Sequence, residues 1–172
     1  MADTEEEDFA AIEDAVRNDT DGYTPPEEMI TEPAPEPAQN LAAKIGQMSI
    51  AQKLKLALRG NREARAILMR DTSVMVQRFL IENPRLTEDE VVSIAKSRII
   101  VSEVLTKVAR NREWMRNYLV RHALVANPRT PAGIAVGLVA TLQERDQRLL
   151  AKSHSVPAVV ATTARRLLMG KN

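Results

Sequence analysis

His122 and His154 are the only imidazoles in this chain of 172 residues, and it has no cysteine. The missing thiols exclude disulfides, thiolate catalysis and zinc–thiolate sites. The two histidines fall on different predicted elements. No HExxH, EF-hand loop, P-loop or GxGxxG pattern accompanies them. Asp89 and Glu90 are adjacent carboxylates, but they lie in Thr87-Glu88-Asp89-Glu90, a capping box at the start of a helix. Asp71 reads as another helix cap. Gly133 and Gly137 give a small-xxx-small spacing suited to close helix packing. The expectation is a protein that is not an enzyme and that carries no cofactor and no metal.

Binding chemistry is better represented. Arg62 follows Asn61, Arg112 follows Asn111, and Arg85 and Arg129 each follow an Asn-Pro pair. If these turns stack in register, the four guanidiniums form a ladder suited to bidentate phosphate or carboxylate contacts. Trp114 and Tyr118 stand four apart on one predicted helix face, either as a core wedge or as an interface anchor. Near the N-terminus, Phe9, Ile12 and Val16 share a face if that stretch is helical, which is the pattern of a helix that docks in a groove. Tyr23-Thr24-Pro25-Pro26 is a second docking candidate. Apart from Phe79, Trp114 and Tyr118, residues 41–172 hold no aromatic side chain, which disfavours stacking on single-stranded bases.

The charges around these residues are sorted. Residues 1–40 hold thirteen Asp/Glu and one basic residue, Arg17; residues 41–172 hold 23 basic and 10 acidic residues. An acidic tail and a basic body should attract each other, and the body should favour an anionic partner. Five of the nine prolines also fall in the tail, and its apolar residues are few. It is expected to be disordered over residues 1–42, ahead of a helical domain over 43–172. The acidic N-terminus is unlike a signal peptide, and no run of about 18 apolar residues occurs. A cytoplasmic protein with no membrane span is expected. The Arg- and Ala-rich usage fits a GC-rich bacterial genome.

The body must position its groups on helices. Apolar spacing and punctuation predict helices over 49–59, 62–70, 73–82, 87–96, 101–110, 112–126, 131–142, 145–152 and 157–168. Ser49-Ile50-Ala51-Gln52 is a second capping box, and Thr130-Pro131 reads as a cap followed by a proline in the first turn. Residues 54–61, 76–83, 104–111 and 120–127 resemble one another: aliphatics four apart, then Asn three residues later. Two copies continue as Asn83-Pro84-Arg85 and Asn127-Pro128-Arg129. Asn here is expected to accept left-handed geometry at a helix end and to cap the next helix.

These short helices with aliphatic-plus-Asn(-Pro) punctuation resemble HEAT-like repeats and the leucine-rich-repeat-variant type of helical repeat, over roughly residues 48–168. The resemblance implies an all-α fold, an α-solenoid of short helical repeats that binds partners on its surface. The reading is a non-catalytic adaptor or scaffold that binds an acidic protein partner, with its tail touching its own body. The alternative is a protein that binds the backbone of a nucleic-acid duplex and is regulated by the tail. The oligomeric state is not legible in the sequence.

Overall fold

A computed structural model describes residues 2–32 and 40–170, with side chains from residue 8 onward. The described residues are all-helical, with no strand. The chain forms two compact units, Met1–Leu86 and Thr87–Asn172. Unit 1 thus spans the expected 42/43 boundary between tail and domain.

Unit 1 holds α1 (Ala2–Arg17), α2 (Glu27–Ile30), α3 (Leu41–Gly46), α4 (Ile50–Arg59), α5 (Arg62–Leu68) and α6 (Val74–Leu80). The capping box at Ser49 starts α4, with Gln52 N on Ser49 Oγ at 3.3 Å and Ser49 N on Gln52 Oε1 at 3.0 Å. Ser73 caps α6, while Asp71 lies two residues earlier and accepts from Ser73 N at 2.8 Å. α4 is the centre of the unit: α1, α2, α5 and α6 all pack on it. Its residues Leu54 to Ala57 are buried in succession, so α4 is enclosed on every side. α4 ends at Gly60, where a side chain would meet Leu56 O at 2.5 Å and Ala64 Cβ at 3.2 Å.

Part of the segment expected to be disordered is packed into unit 1. Val16, Met29 and Leu41 are buried in the same core as Leu54, Leu56, Phe79 and Leu80. Local composition predicted no order there, yet burial against α4 and pairing with its cations supply what the segment lacks alone. The rest of the expected tail, residues 33–39, lies outside the described residues.

Unit 2 holds α7 (Glu88–Lys96), α8 (Ser102–Arg110), a 3-10 turn (Trp114–Arg116), α9 (Tyr118–Ala126), α10 (Ala132–Val139), α11 (Glu144–Lys152) and α12 (Ala158–Met169). α7 packs on α8 and α9, α9 on α10, and α12 on both α10 and α11. The capping box at Thr87 is present. The expected helix 112–126 is broken by Asn117, whose Oδ1 accepts from Leu119 N at 2.9 Å and starts α9 afresh. Thr130 is not the cap of α10: Pro131 holds that place, and Thr130 Oγ1 is buried without a partner.

The repeated asparagines meet one expectation and not the other: Asn61 does cap the next helix, α5, accepting from Ala64 N at 3.0 Å, but the left-handed geometry is not adopted. Asn61, Asn111 and Asn127 have φ of −70°, −80° and −83°, so none is left-handed. Asn83 Nδ2 donates to Ala57 O (2.8 Å) and Gly60 O (3.4 Å), at the C-terminus of α4. Asn127 Nδ2 donates to Ala95 O (2.7 Å) and Ser97 O (2.9 Å), at the C-terminus of α7. Asn61 Nδ2 donates to Glu28 O (2.8 Å) and Thr31 O (3.1 Å), at the end of α2. Each buried amide thus satisfies the orphan carbonyls of an earlier helix. Its Oδ1 meanwhile shapes its own turn: Asn83 accepts from Arg85 N and Asn127 from Arg129 N, both at 2.9 Å.

Candidate functional site

The acidic segment is built into unit 1 as the counter-charge of its basic helices. Lys55, 1% exposed, points from α4 to the Asp21 carboxylate and Tyr23 O, with Asp19 beside it. Arg65 on α5, equally buried, reaches Glu32 at 3.0 Å and Gly60 O at 2.9 Å. Arg59 meets Asp19 at 3.4 Å, Arg78 meets Glu13 at 3.7 Å, and Lys44 meets Glu28 at 2.7 Å. The traffic also runs the other way: Arg17 pairs with Glu82 at 2.8 Å and lies over the Phe79 ring, 4.5 Å from its centroid. A buried ammonium or guanidinium without these partners would be prohibitive.

The electrostatics follow. The Lys55 hydrogen bond, with Arg59 nearby, holds the Asp19 carboxyl below its usual range. Asp19 and Asp21 in turn hold the Lys55 ammonium above the usual lysine value. Burial raises the Tyr23 phenol.

The cations of unit 2 have a different setting. The unit carries fourteen Lys/Arg against seven Asp/Glu, while unit 1 carries ten against sixteen. Arg116 pairs with Glu113 and Arg148 with Glu144, both along exposed local turns. Arg121 donates to Met115 O and Arg116 O, and Arg165 to Ala151 O. Arg98, Arg110, Arg112, Arg129, Arg145 and Arg166 are exposed and have no carboxylate partner among the described residues.

The expected ladder divides between the units, Arg62 and Arg85 in the first and Arg112 and Arg129 in the second. All four are exposed. Arg85 is already engaged, donating to Ile30 O at 2.6 Å. Trp114 and Tyr118 do not share a helix face, because Asn117 separates their elements. Tyr118 packs against the core of unit 2; its hydroxyl donates to Asp146 and accepts from Gln143 N at 3.2 Å. Burial and the Asp146 bond raise its phenol pKa. The Arg121 guanidinium stands 5.5 Å from its ring centroid, and the His122 ring centroid 6.3 Å away. This is a wedge between α9 and α11. Of the docking trio, Val16 is 2% exposed and Ile12 packs on the core of unit 1, which leaves Phe9, 44% exposed, on the surface.

No group of three or more metal-ligating side chains occurs among the described residues. No helix of the described residues is long and apolar enough to cross a membrane. A 220 Å³ cavity beside α3 and α5 is lined by Ile45, Ile67 and Leu68, with the Lys53–Asp71 ion pair, 3.0 Å, at its rim. An open groove on unit 2 is lined by Val136, Val159, Thr162 and Arg166.

Arg65, the burial of Lys55 and the long reach of the Asn61, Asn83 and Asn127 amides are what sequence reasoning missed. Lys55 stood within an apolar run, Leu54-Lys55-Leu56-Ala57, which was the available signal. Comparison of the chain with known protein families, with curated proteins and with solved structures finds no match.

Proposed function

We propose that this protein is a non-catalytic adaptor built from HEAT-like helical repeats, and that unit 2 presents the basic surface on which an acidic protein partner binds. The observation that carries this reading is the Asn-Pro-Arg turn that occurs once in each unit. In unit 1 its arginine, Arg85, receives a carbonyl of the acidic segment. In unit 2 the matching Arg129 is exposed, and no partner reaches its guanidinium among the described residues. The recurring Asn-to-carbonyl clamp supports the repeat reading, because the same side chain ties helix ends in both units.

The partner reading rests on charge and on aromatic supply. Unit 2 has a surplus of cations and holds only Trp114 and Tyr118 as aromatics, both half-buried. An acidic protein surface needs charge complementarity and not ring stacking. The full chain should bind polyglutamate, and Arg110→Glu, Arg112→Glu and Arg129→Glu together should weaken that binding at least tenfold. Tighter binding to duplex DNA, with an affinity falling steeply with salt, would replace the protein partner by a nucleic acid. Binding of neither would defeat both readings.

A further inference from the structure

Residues 19–32 lie on unit 1 as a peptide lies on a receptor. Their main-chain carbonyls are received by side chains of the helical body: Tyr23 O by Lys55, Glu28 O and Thr31 O by Asn61, and Ile30 O by Arg85. Met29 O also accepts from the Asn61 backbone N–H at 2.7 Å. Carbonyl recognition is indifferent to side-chain identity, so the specificity comes from the carboxylates and the apolar anchors. Asp19 and Asp21 converge on Lys55, Glu32 reaches Arg65, and Pro25 and Met29 are buried.

The resident segment is an imperfect fit. Asp21 Oδ2 is buried without a hydrogen-bond partner. Asp19 has φ +60°, a left-handed conformation that a non-glycine residue holds at a cost, and Gly22 follows at +68°. α2, the only helix in the segment, has four residues. A core element would be expected to satisfy its carboxylates and relax its backbone; a ligand held by covalent attachment need not.

We infer that the face formed by Lys55, Asn61, Arg65 and Arg85 is an acidic-peptide site, that residues 19–32 are its exchangeable resident, and that an acidic segment of a partner protein takes their place. The partner segment would carry two carboxylates two residues apart, a turn, and a short apolar anchor. This site is separate from the surface of unit 2 and stands whether or not unit 2 binds an acidic partner. Because the resident is tethered, it competes at an effective concentration on the order of millimolar. Displacement therefore requires a tighter or multivalent partner, or prior weakening of the Lys55 pairs.

The test uses a fluorescein-labelled synthetic peptide of residues 8–32 and the full chain, read by fluorescence anisotropy. The wild-type chain should bind weakly. The chain with Asp19→Asn and Asp21→Asn, whose resident is loosened, should bind at least tenfold more tightly. A peptide carrying the same two substitutions should not bind, and adding Lys55→Met to the loosened chain should abolish binding of the unchanged peptide. Equal affinity for the two chains, no binding to either, or binding that survives loss of both peptide aspartates overturns the inference. If the loosened chain does not fold, the wild-type chain is used at millimolar peptide with amide hydrogen exchange as the readout. Faster exchange over residues 19–32 is then expected, and unchanged exchange overturns the inference.

Discussion

Arg85 and Arg129 occupy the same place in two copies of one turn, yet only the first is engaged. In unit 1 the acidic segment comes back over the basic helices, and the cations meet Asp19, Asp21, Glu13, Glu28 and Glu32. In unit 2 the exposed arginines face solvent, and the Arg116–Glu113 and Arg148–Glu144 ion pairs are local and exposed. Such local pairs contribute little, typically below about 1 kcal/mol. The difference teaches where charge is structural and where it is available. A cation buried with its counter-ion holds a fold together; a cation left exposed raises self-repulsion and is kept only at some cost in stability.

The sharpest way to break this contrast is to unseat the segment without touching its charges. Met29→Ala removes a fully buried side chain and should cost about 2–4 kcal/mol. Hydrogen exchange should show the loss across unit 1, with unit 2 unchanged; an equal loss in both would mean that the units unfold as one. Next in size are the asparagine clamps. Asn83→Ala and Asn127→Ala each strand two helix-end carbonyls and should cost about 2 kcal/mol in chemical denaturation, each in its own unit. Asn111→Ala, whose amide oxygen serves only its own turn, should cost less than about 1 kcal/mol.

A pH titration sharpens the comparison further. The Asp19 carboxyl is lowered by Lys55, so its contribution is present above about pH 4, the unfolded value, and is lost as the pH falls below that. The Lys55 ammonium is raised by Asp19 and Asp21, so its contribution is present below about pH 10.5 and is lost as the pH rises beyond. Amide exchange over residues 19–32 should therefore quicken first at both extremes. The smallest effect is expected in unit 2, where Arg112→Glu or Arg129→Glu should change stability by less than about 0.5 kcal/mol while weakening anion binding.

The helices of residues 49–168 were legible because their signals are local. Ser49 and Thr87 announced capping boxes that are present, and the apolar spacing placed α4 to α12 with one exception. That exception, Asn117, used its side chain to restart a helix where periodicity predicted continuity. The order of residues 8–32 was illegible for the opposite reason. Acidic residues and prolines have no local reason to be fixed; what fixes them is Lys55, Asn61 and Arg65, some thirty residues further along. The asparagines were recognised as punctuation, but their amides act on carbonyls 23 to 33 positions away. No local rule reaches that far. For the binding site, the sequence offered an arginine ladder without saying which rungs were already taken.

The central claim is that available positive charge belongs to unit 2. The direct measurement is a titration of the isotopically labelled full chain with polyglutamate, followed by amide chemical shifts at low salt. Perturbations centred on Arg110, Arg112 and Arg129, and fading as salt is raised, are predicted. Perturbations confined to unit 1, with Arg110, Arg112 and Arg129 unmoved, or none at all, would contradict it.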